Sequence, residues 1–213
     1  MSATAEQLAQ LARLGSATVY EAGGRSGYVN ADLICVVPGA RVAGPARTVQ
    51  CAQDDNLMVH AVMDSLQAGE VLVLTMPEPR PVALVGDLLA TQAKARGAAG
   101  VLVDASVRDV EELRELGLPI WARWVRVRGA VKGTPGAIGE PVVIGGAAIR
   151  QGDVVVLDAD GVAVVEAERV DEVLAASLAR EERERVKRER LRSGELSYDL
   201  DGLRKLVEGS DDT

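Results

Sequence analysis

The chain has 213 residues, of which 47% are apolar; this gives one sizeable folded core and excludes a disordered chain. The formal net charge is −8, and no Lys/Arg block stands free of acidic neighbours, which disfavours nucleic acid as a partner. Only Cys35 and Cys51 are present, and no apolar run reaches about 18 residues, so a disulfide scaffold and a membrane span are both disfavoured and a reducing cytoplasm is expected. Residues 4–14 read as a helix with Leu8, Leu11 and Leu14 on one face. Ser16 is the expected N-cap of a short helix that Gly23 and Gly24 stop. β signals run from Leu33 to Cys51, and Asp54 to Asn56 are expected to start a helix that reaches about Gln67. "VLVLT" follows as a buried strand, "PEPRP" as a rigid loop and "VALV" as another strand. Gly86-Asp87 then opens the helix "LLATQAKAR", Gly97 closes it, and "GVLVD" is the next strand. "DVEELREL" reads as a helix, "PIWARWV" as a strand and "GTPGAIG" as a loop. From Pro141 to Val165, short β runs separated by Gly-Gly, Gln-Gly-Asp and Asp-Gly predict hairpins. A long charged helix spans Glu168 to Arg192, with Glu181–Arg185 and Glu184–Arg188 at i,i+4 spacing. A turn and a short amphipathic helix end the chain. The pattern predicts one mixed α/β domain with a layered or barrel-like sheet.

The chemistry gathers at the two edges of the βα unit "GDLLATQAKARGAAGVLVDASVRD". Asp87 follows a strand and precedes a helix, where it reads as an N-cap on spacing alone. The same geometry lets the free N–H groups of Leu88 and Leu89 hold a small carboxylate. Asp104 at the next strand end reads individually as a group satisfying loop amides, Arg108 as a surface ion-pair partner, and Asp109 as a helix N-cap. Ligands collect beyond the carboxyl ends of parallel strands, and three caps do not need an arginine among them. Asp87 and Asp109 together suit a hard divalent ion, which takes one or two carboxylates and keeps several waters. Arg108 suits a bidentate contact with a substrate carboxylate or keto oxygen.

Other chemistries lack their residues. The only histidine, His60, sits in an apparent amphipathic helix and reads as structural, which removes a His-rich zinc site and a Ser-His-Asp triad. None of the four lysines, Lys94, Lys132, Lys187 and Lys205, looks like a buried Schiff-base amine, and there is no P-loop or GxGxxG. Bond-making at a carbonyl would have to rely on a metal Lewis acid.

The spacing Asp87-x20-Arg108-Asp109 resembles the signature of the 4-hydroxy-4-methyl-2-oxoglutarate aldolases, class II pyruvate aldolases in the RraA-like family that also holds the regulator of ribonuclease E activity. "ATVYEAGGRSG", "PGARVAGPARTVQC", "GTPGAIGEPVVIGGAAIRQGDVVVLDADGVAVV" and "SGELSYDLDGLR" extend the likeness along nearly the whole chain. The resemblance implies an αββα sandwich with a barrel-like central sheet, of the swivelling β/β/α type. It implies a catalytic domain over residues 1–167 and a helical extension over 168–213 that packs on a neighbouring subunit of a homotrimer or hexamer. It implies Mg²⁺ or Mn²⁺ held by Asp109 directly and by Asp87 through water. Glu184 of a neighbouring subunit would complete the outer shell, with Glu181 and Glu182 as rivals. The pyruvate carboxylate would meet the backbone around Gly86, Leu88 and Leu89, and Arg108 would contact pyruvate or its enolate. The implied reaction is retro-aldol cleavage of a 4-hydroxy-2-oxo acid, with oxaloacetate decarboxylation through the same enolate. The rival reading is a non-catalytic regulator that binds ribonuclease E; members of that type tend to lack the first acid of the signature, and Asp87 is present here. "MPEPRPVALVGD" is more proline-rich than the family text, and "WARWVRVRGAVKG" is unusually basic, so these loops bear on substrate choice.

Overall fold

The computed structural model describes residues 3–209; the ends of the two predicted regions, residues 1 and 213, lie outside the described residues. It divides into two compact units, Met1–Ser177 and Leu178–Thr213. The first opens with α1 (Ala5–Leu14), whose start is fixed by a capping box between Thr4 and Gln7. Then comes α2 (Ser16–Ala22). Ser16 is not its N-cap. Gly15, at φ +85°, takes that place, and Ser16 instead donates its N–H and hydroxyl to buried Asp158 at 2.8 and 2.6 Å.

The strands β1 (Ile34–Cys35) and β2 (Val42–Gln50) precede α3 (Leu57–Val62). That helix stops five residues short of the expected Gln67. Arg47 takes the Ser65 carbonyl at 2.9 Å and the Glu70 carboxylate takes the Gln67 N–H at 2.8 Å, so these backbone groups are drawn out of a helical ladder. Next come β3 (Val71–Thr75), β4 (Ala83–Val85), α4 (Asp87–Ala95), β5 (Gly100–Val107), α5 (Val110–Leu116) and β6 (Ile120–Val125). The expected loop "GTPGAIG" contains a short strand, β7 (Ala137–Ile138), which pairs with β2. The predicted hairpins are β8 (Val142–Ile144) with β9 (Ala147–Ile149), and β10 (Val154–Leu157) with β11 (Val162–Val165). A 3₁₀ turn at Ala167–Arg169 leads into α6 (Val170–Arg192).

Among the described residues, nine strands form one sheet in the order β1-β6-β5-β3-β2-β10-β11, with β4 added to β5 and β7 to β2. The strands β2, β3, β5 and β6 run parallel, as βαβ crossovers require, and β10 and β11 are antiparallel. The sheet is mixed and curls into a half-barrel. Val71, Val73, Leu102, Trp121, Ile144 and Leu157 fill its inner face. On the outer side, α3, α4 and α5 cover one part through Val59, Ala90 and Leu113. There α1, α2 and the start of α6 cover β10 and β11 through Leu11, Val19 and Val173. This is the αββα layering that the resemblance implies.

The second unit carries the rest of α6, then α7 (Ser197–Leu200) and α8 (Arg204–Glu208). Among its ion pairs, Glu184 pairs at 2.8 Å with Arg180, one turn before it, in place of the expected Arg188, one turn after it, and Glu182 pairs with Arg185 at 2.8 Å.

Candidate active site

The strands β4 and β5 are parallel neighbours, so their carboxyl ends lie side by side. Gly86-Asp87 leaves one end into α4, and Arg108-Asp109 leaves the other into α5. The backbone N–H of Arg108 donates to Val85 O at 3.1 Å, which ties the two exits together. Asp87 is the first residue of α4; Gly86 holds the N-cap position, and no side chain caps the helix. The N-cap reading of Asp87 is therefore corrected: its carboxylate forms no hydrogen bond or ion pair among the described residues. Asp109 does occupy the N-cap position of α5, but its side chain makes no cap bond there. Its Oδ2 instead accepts from the Asp87 N–H at 3.2 Å, at the positive end of α4. Asp109 reaches this point from a left-handed backbone (φ +59°), a conformation that costs a non-glycine residue energy and recurs at functional sites.

Arg108 lies half-exposed beside Asp109, with Nε 3.4 Å from Oδ2. Two glycines make room for this pair. A Cβ on Gly86 would lie 2.4 Å from Asp109 Oδ2 and 3.1 Å from Arg108 Nε, and one on Gly129 would lie 3.0 Å from Arg108 Nη1. Gly86 has an extended backbone (φ −129°), so space and not conformation demands glycine there.

Asp104 does not join the cluster. The strand β5 continues three residues past it, to Val107, because Ala105-Ser106-Val107 is still small, buried and paired. Asp104 is only 2% exposed inside the sheet and pairs with Arg123 of β6, not with loop amides. Burial pushes its carboxyl above the usual range, against the lowering effect of Arg123.

A cleft of about 120 Å³ opens over Gly86, Asp87, Leu88, Leu89 and Arg108. The N–H groups of Leu88 and Leu89, in the first turn of α4, have no partner within the helix, and the Leu88 side chain is 79% exposed. The far wall holds residues that the sequence did not place at the site: Asn56, His60, Gly129, Ala130 and Lys132. His60 is exposed on this wall and is not a core histidine. Partial burial and the nearby Lys132 ammonium lower its pKa, which favours the neutral imidazole. Asn56 donates Nδ2 to Leu84 O at 2.9 Å, and its buried Oδ1 accepts no hydrogen bond among the described residues. The loop carrying Lys132 is clamped from beneath by Asp55, 1% exposed, which accepts from the N–H groups of Leu57, Gly133 and Thr134 at 2.7–2.8 Å. Desolvation raises the Asp55 carboxyl, but these three bonds outweigh it and hold its pKa below the ordinary value.

Among the described residues, no three His, Cys, Asp or Glu side chains gather in a way that could cage a metal. The donor set is two carboxylates, Asp87 and Asp109, with the unmet acceptor of Asn56 nearby. That composition fits a hard, largely hydrated ion such as Mg²⁺ or Mn²⁺ and not zinc. Glu184 belongs to the second unit, where it is paired with Arg180.

Residues 14–164 match the family described as RraA-like, Aldolase/RraA. A protein of Halalkalibacterium halodurans named "Putative 4-hydroxy-4-methyl-2-oxoglutarate aldolase" is 39% identical over 134 residues, 63% of this chain and 64% of that protein. The match thus spans less than two thirds of that relative's length. An uncharacterized protein of Pseudomonas syringae pv. tomato superposes with a TM-score of 0.83 at 27% identity, over 92% of each chain. Streptomyces coelicolor RraAS2, titled an unusual member of the RNase ES inhibitor RraA protein family, gives 0.77 at 33% identity over 88% of this chain and 98% of its own. With the match covering most of its length, this chain belongs to the RraA-like family.

Proposed function

We propose that this protein is a divalent-metal-dependent aldolase that cleaves 4-hydroxy-2-oxo acids, such as 4-hydroxy-4-methyl-2-oxoglutarate, to pyruvate and a second carbonyl compound. The observation that carries this reading is the convergence of Asp87, Arg108 and Asp109 on the N-terminus of α4, in a cleft. Mg²⁺ or Mn²⁺, held by Asp109 and through water by Asp87, would supply Lewis-acid polarisation of the C2 keto oxygen. The first-turn N–H groups of Leu88 and Leu89 suit the substrate carboxylate, a small anion at a helix N-terminus. Arg108, braced between two glycines, donates to the keto oxygen and gains most as C3–C4 breaks and negative charge moves onto that oxygen. One such donor is worth about 3 kcal/mol. The proton of the C4 hydroxyl leaves to a water held by the carboxylates or to neutral His60 on the facing wall. Oxaloacetate decarboxylation follows at the same site, because it passes through the same enolate.

The reading extends to a homo-oligomer, a trimer or hexamer in which Glu184 of a neighbouring subunit adds a third carboxylate to the Asp87 and Asp109 pair. The name of the Streptomyces relative favours a second reading, a regulator that binds ribonuclease E without chemistry. Screening 4-hydroxy-2-oxo acids and oxaloacetate with Mg²⁺ in a lactate-dehydrogenase-coupled assay separates the two. The aldolase reading expects pyruvate release that Asp87→Ala reduces at least 100-fold. A protein that releases none and captures ribonuclease E in a pull-down is the regulator.

A further inference from the structure

The strand β6 does more than close the sheet. Val107 pairs with Val125, and the Arg126 N–H donates to Val107 O at 3.0 Å. The chain leaving β6 therefore passes the exit of β5, just before Arg108 and Asp109, and then crosses to β4, where the Ala83 N–H donates to Arg128 O at 2.7 Å. Val125, Arg126 and Val127 form with Arg108 and Asp109 a second opening of about 420 Å³, roomier than the first cleft. Arg108 lines both. The valines are exposed, Val127 at 93%, and give the shelf an apolar floor beside a guanidinium.

The arginines of this stretch differ in one respect. Arg123 is paired with Asp104, and Arg128 lies 3.3 Å from Asp54. Arg126 has no carboxylate partner among the described residues; its Nη1 donates only to the neighbouring Val125 O at 2.8 Å. A guanidinium without a carboxylate partner among the described residues, lining one opening with Arg108, Asp109 and two valines, matches a ligand with a carboxylate and a short alkyl group at one carbon.

We infer that this shelf is the subsite for the C4 end of the substrate, and that Arg126 determines specificity by pairing a distal carboxylate while Val125 and Val127 receive the C4 alkyl group. This rests on the aldolase reading for its chemistry. With the 2-oxo acid end in the small cleft and the keto oxygen at Arg108, the rest of the molecule passes over Asp109 onto the shelf.

The test compares kcat/KM for 4-hydroxy-4-methyl-2-oxoglutarate with that for 4-hydroxy-2-oxopentanoate, which lacks the C4 carboxylate. Wild type favours the diacid. Arg126→Gln lowers that preference 10- to 100-fold, chiefly through KM, and Arg126→Lys restores part of it. Lys132→Gln scales both substrates alike. A preference unmoved by Arg126→Gln, or lost in Lys132→Gln instead, overturns the assignment. Binding keeps the subsite testable if no substrate turns over. Trp124 lies two residues from Arg126, and its fluorescence reports titration with 2-oxoglutarate against 2-oxopentanoate. A diacid preference that Arg126→Gln removes keeps the subsite even where the aldolase reading fails. Equal binding of the two acids by wild type refutes it.

Discussion

Gly86 is the residue on which the site geometry turns. Its missing side chain is the space that Asp109 and Arg108 occupy, and a methyl group 2.4 Å from Asp109 Oδ2 would push both side chains out of their present positions. Gly86→Ala should therefore lower pyruvate release by about 100-fold, the scale of a 1 Å misplacement, with an unchanged far-UV circular dichroism spectrum. Retention of full activity would mean that the pair does not need its present geometry. Asp87, Arg108 and Asp109 were legible in the sequence because they stand at the ends of apolar runs, where a charged side chain has to face solvent or a ligand. Asp104 looked equivalent only because the strand was read as ending there. Asn56, His60 and Lys132 were not legible: they lie 23–31 residues from the nearer end of the signature, and no local pattern says that they line the same cleft as α4.

At the scale of elements, the loop that bears Lys132 depends on Asp55. Three backbone N–H groups converge on one buried carboxylate, and hydrogen bonds to a charged group are worth about 1.5–3 kcal/mol. Asp55→Asn should cost about 2 kcal/mol of stability near neutral pH and raise exchange of the Gly133 and Thr134 amides. The pH dependence has a definite sign. The folded-state pKa of Asp55 lies below its unfolded value, so the stabilisation is fully present above the ordinary aspartate range. It is lost as pH falls through the depressed folded value. The stability gap between wild type and Asp55→Asn should accordingly be constant from about pH 5 to 7 and narrow below about pH 4, as urea titrations at each pH would report. A gap that widens on acidification would contradict the clamp. The same scale explains the short α3. Periodicity in the sequence carries the apolar face of a helix to Gln67, but Arg47 and Glu70, distant in sequence, compete for the backbone after Val62.

For the whole molecule, the order of strands was the part hidden from the sequence. Alternation and turn residues marked nearly every strand, whereas the pairing of β2 with β10 joins segments about a hundred residues apart. The layers follow once the sheet exists, since each helix has a single apolar face to cover. The site stands open on the surface of one chain, which is consistent with the proposed assembly. Sedimentation should then give three or six times the 22.4 kDa chain mass, and Glu184→Gln should lower kcat about 10-fold without changing that mass. A monomer with full activity would remove any neighbouring subunit from the chemistry.

The decisive measurement is pyruvate release from 4-hydroxy-4-methyl-2-oxoglutarate in the same protein sample before EDTA, after EDTA, and after excess Mg²⁺ is restored. Two carboxylates and a guanidinium around one helix end predict loss on chelation and recovery with the cation. Release that continues undiminished in EDTA would contradict a metal-dependent enolate site.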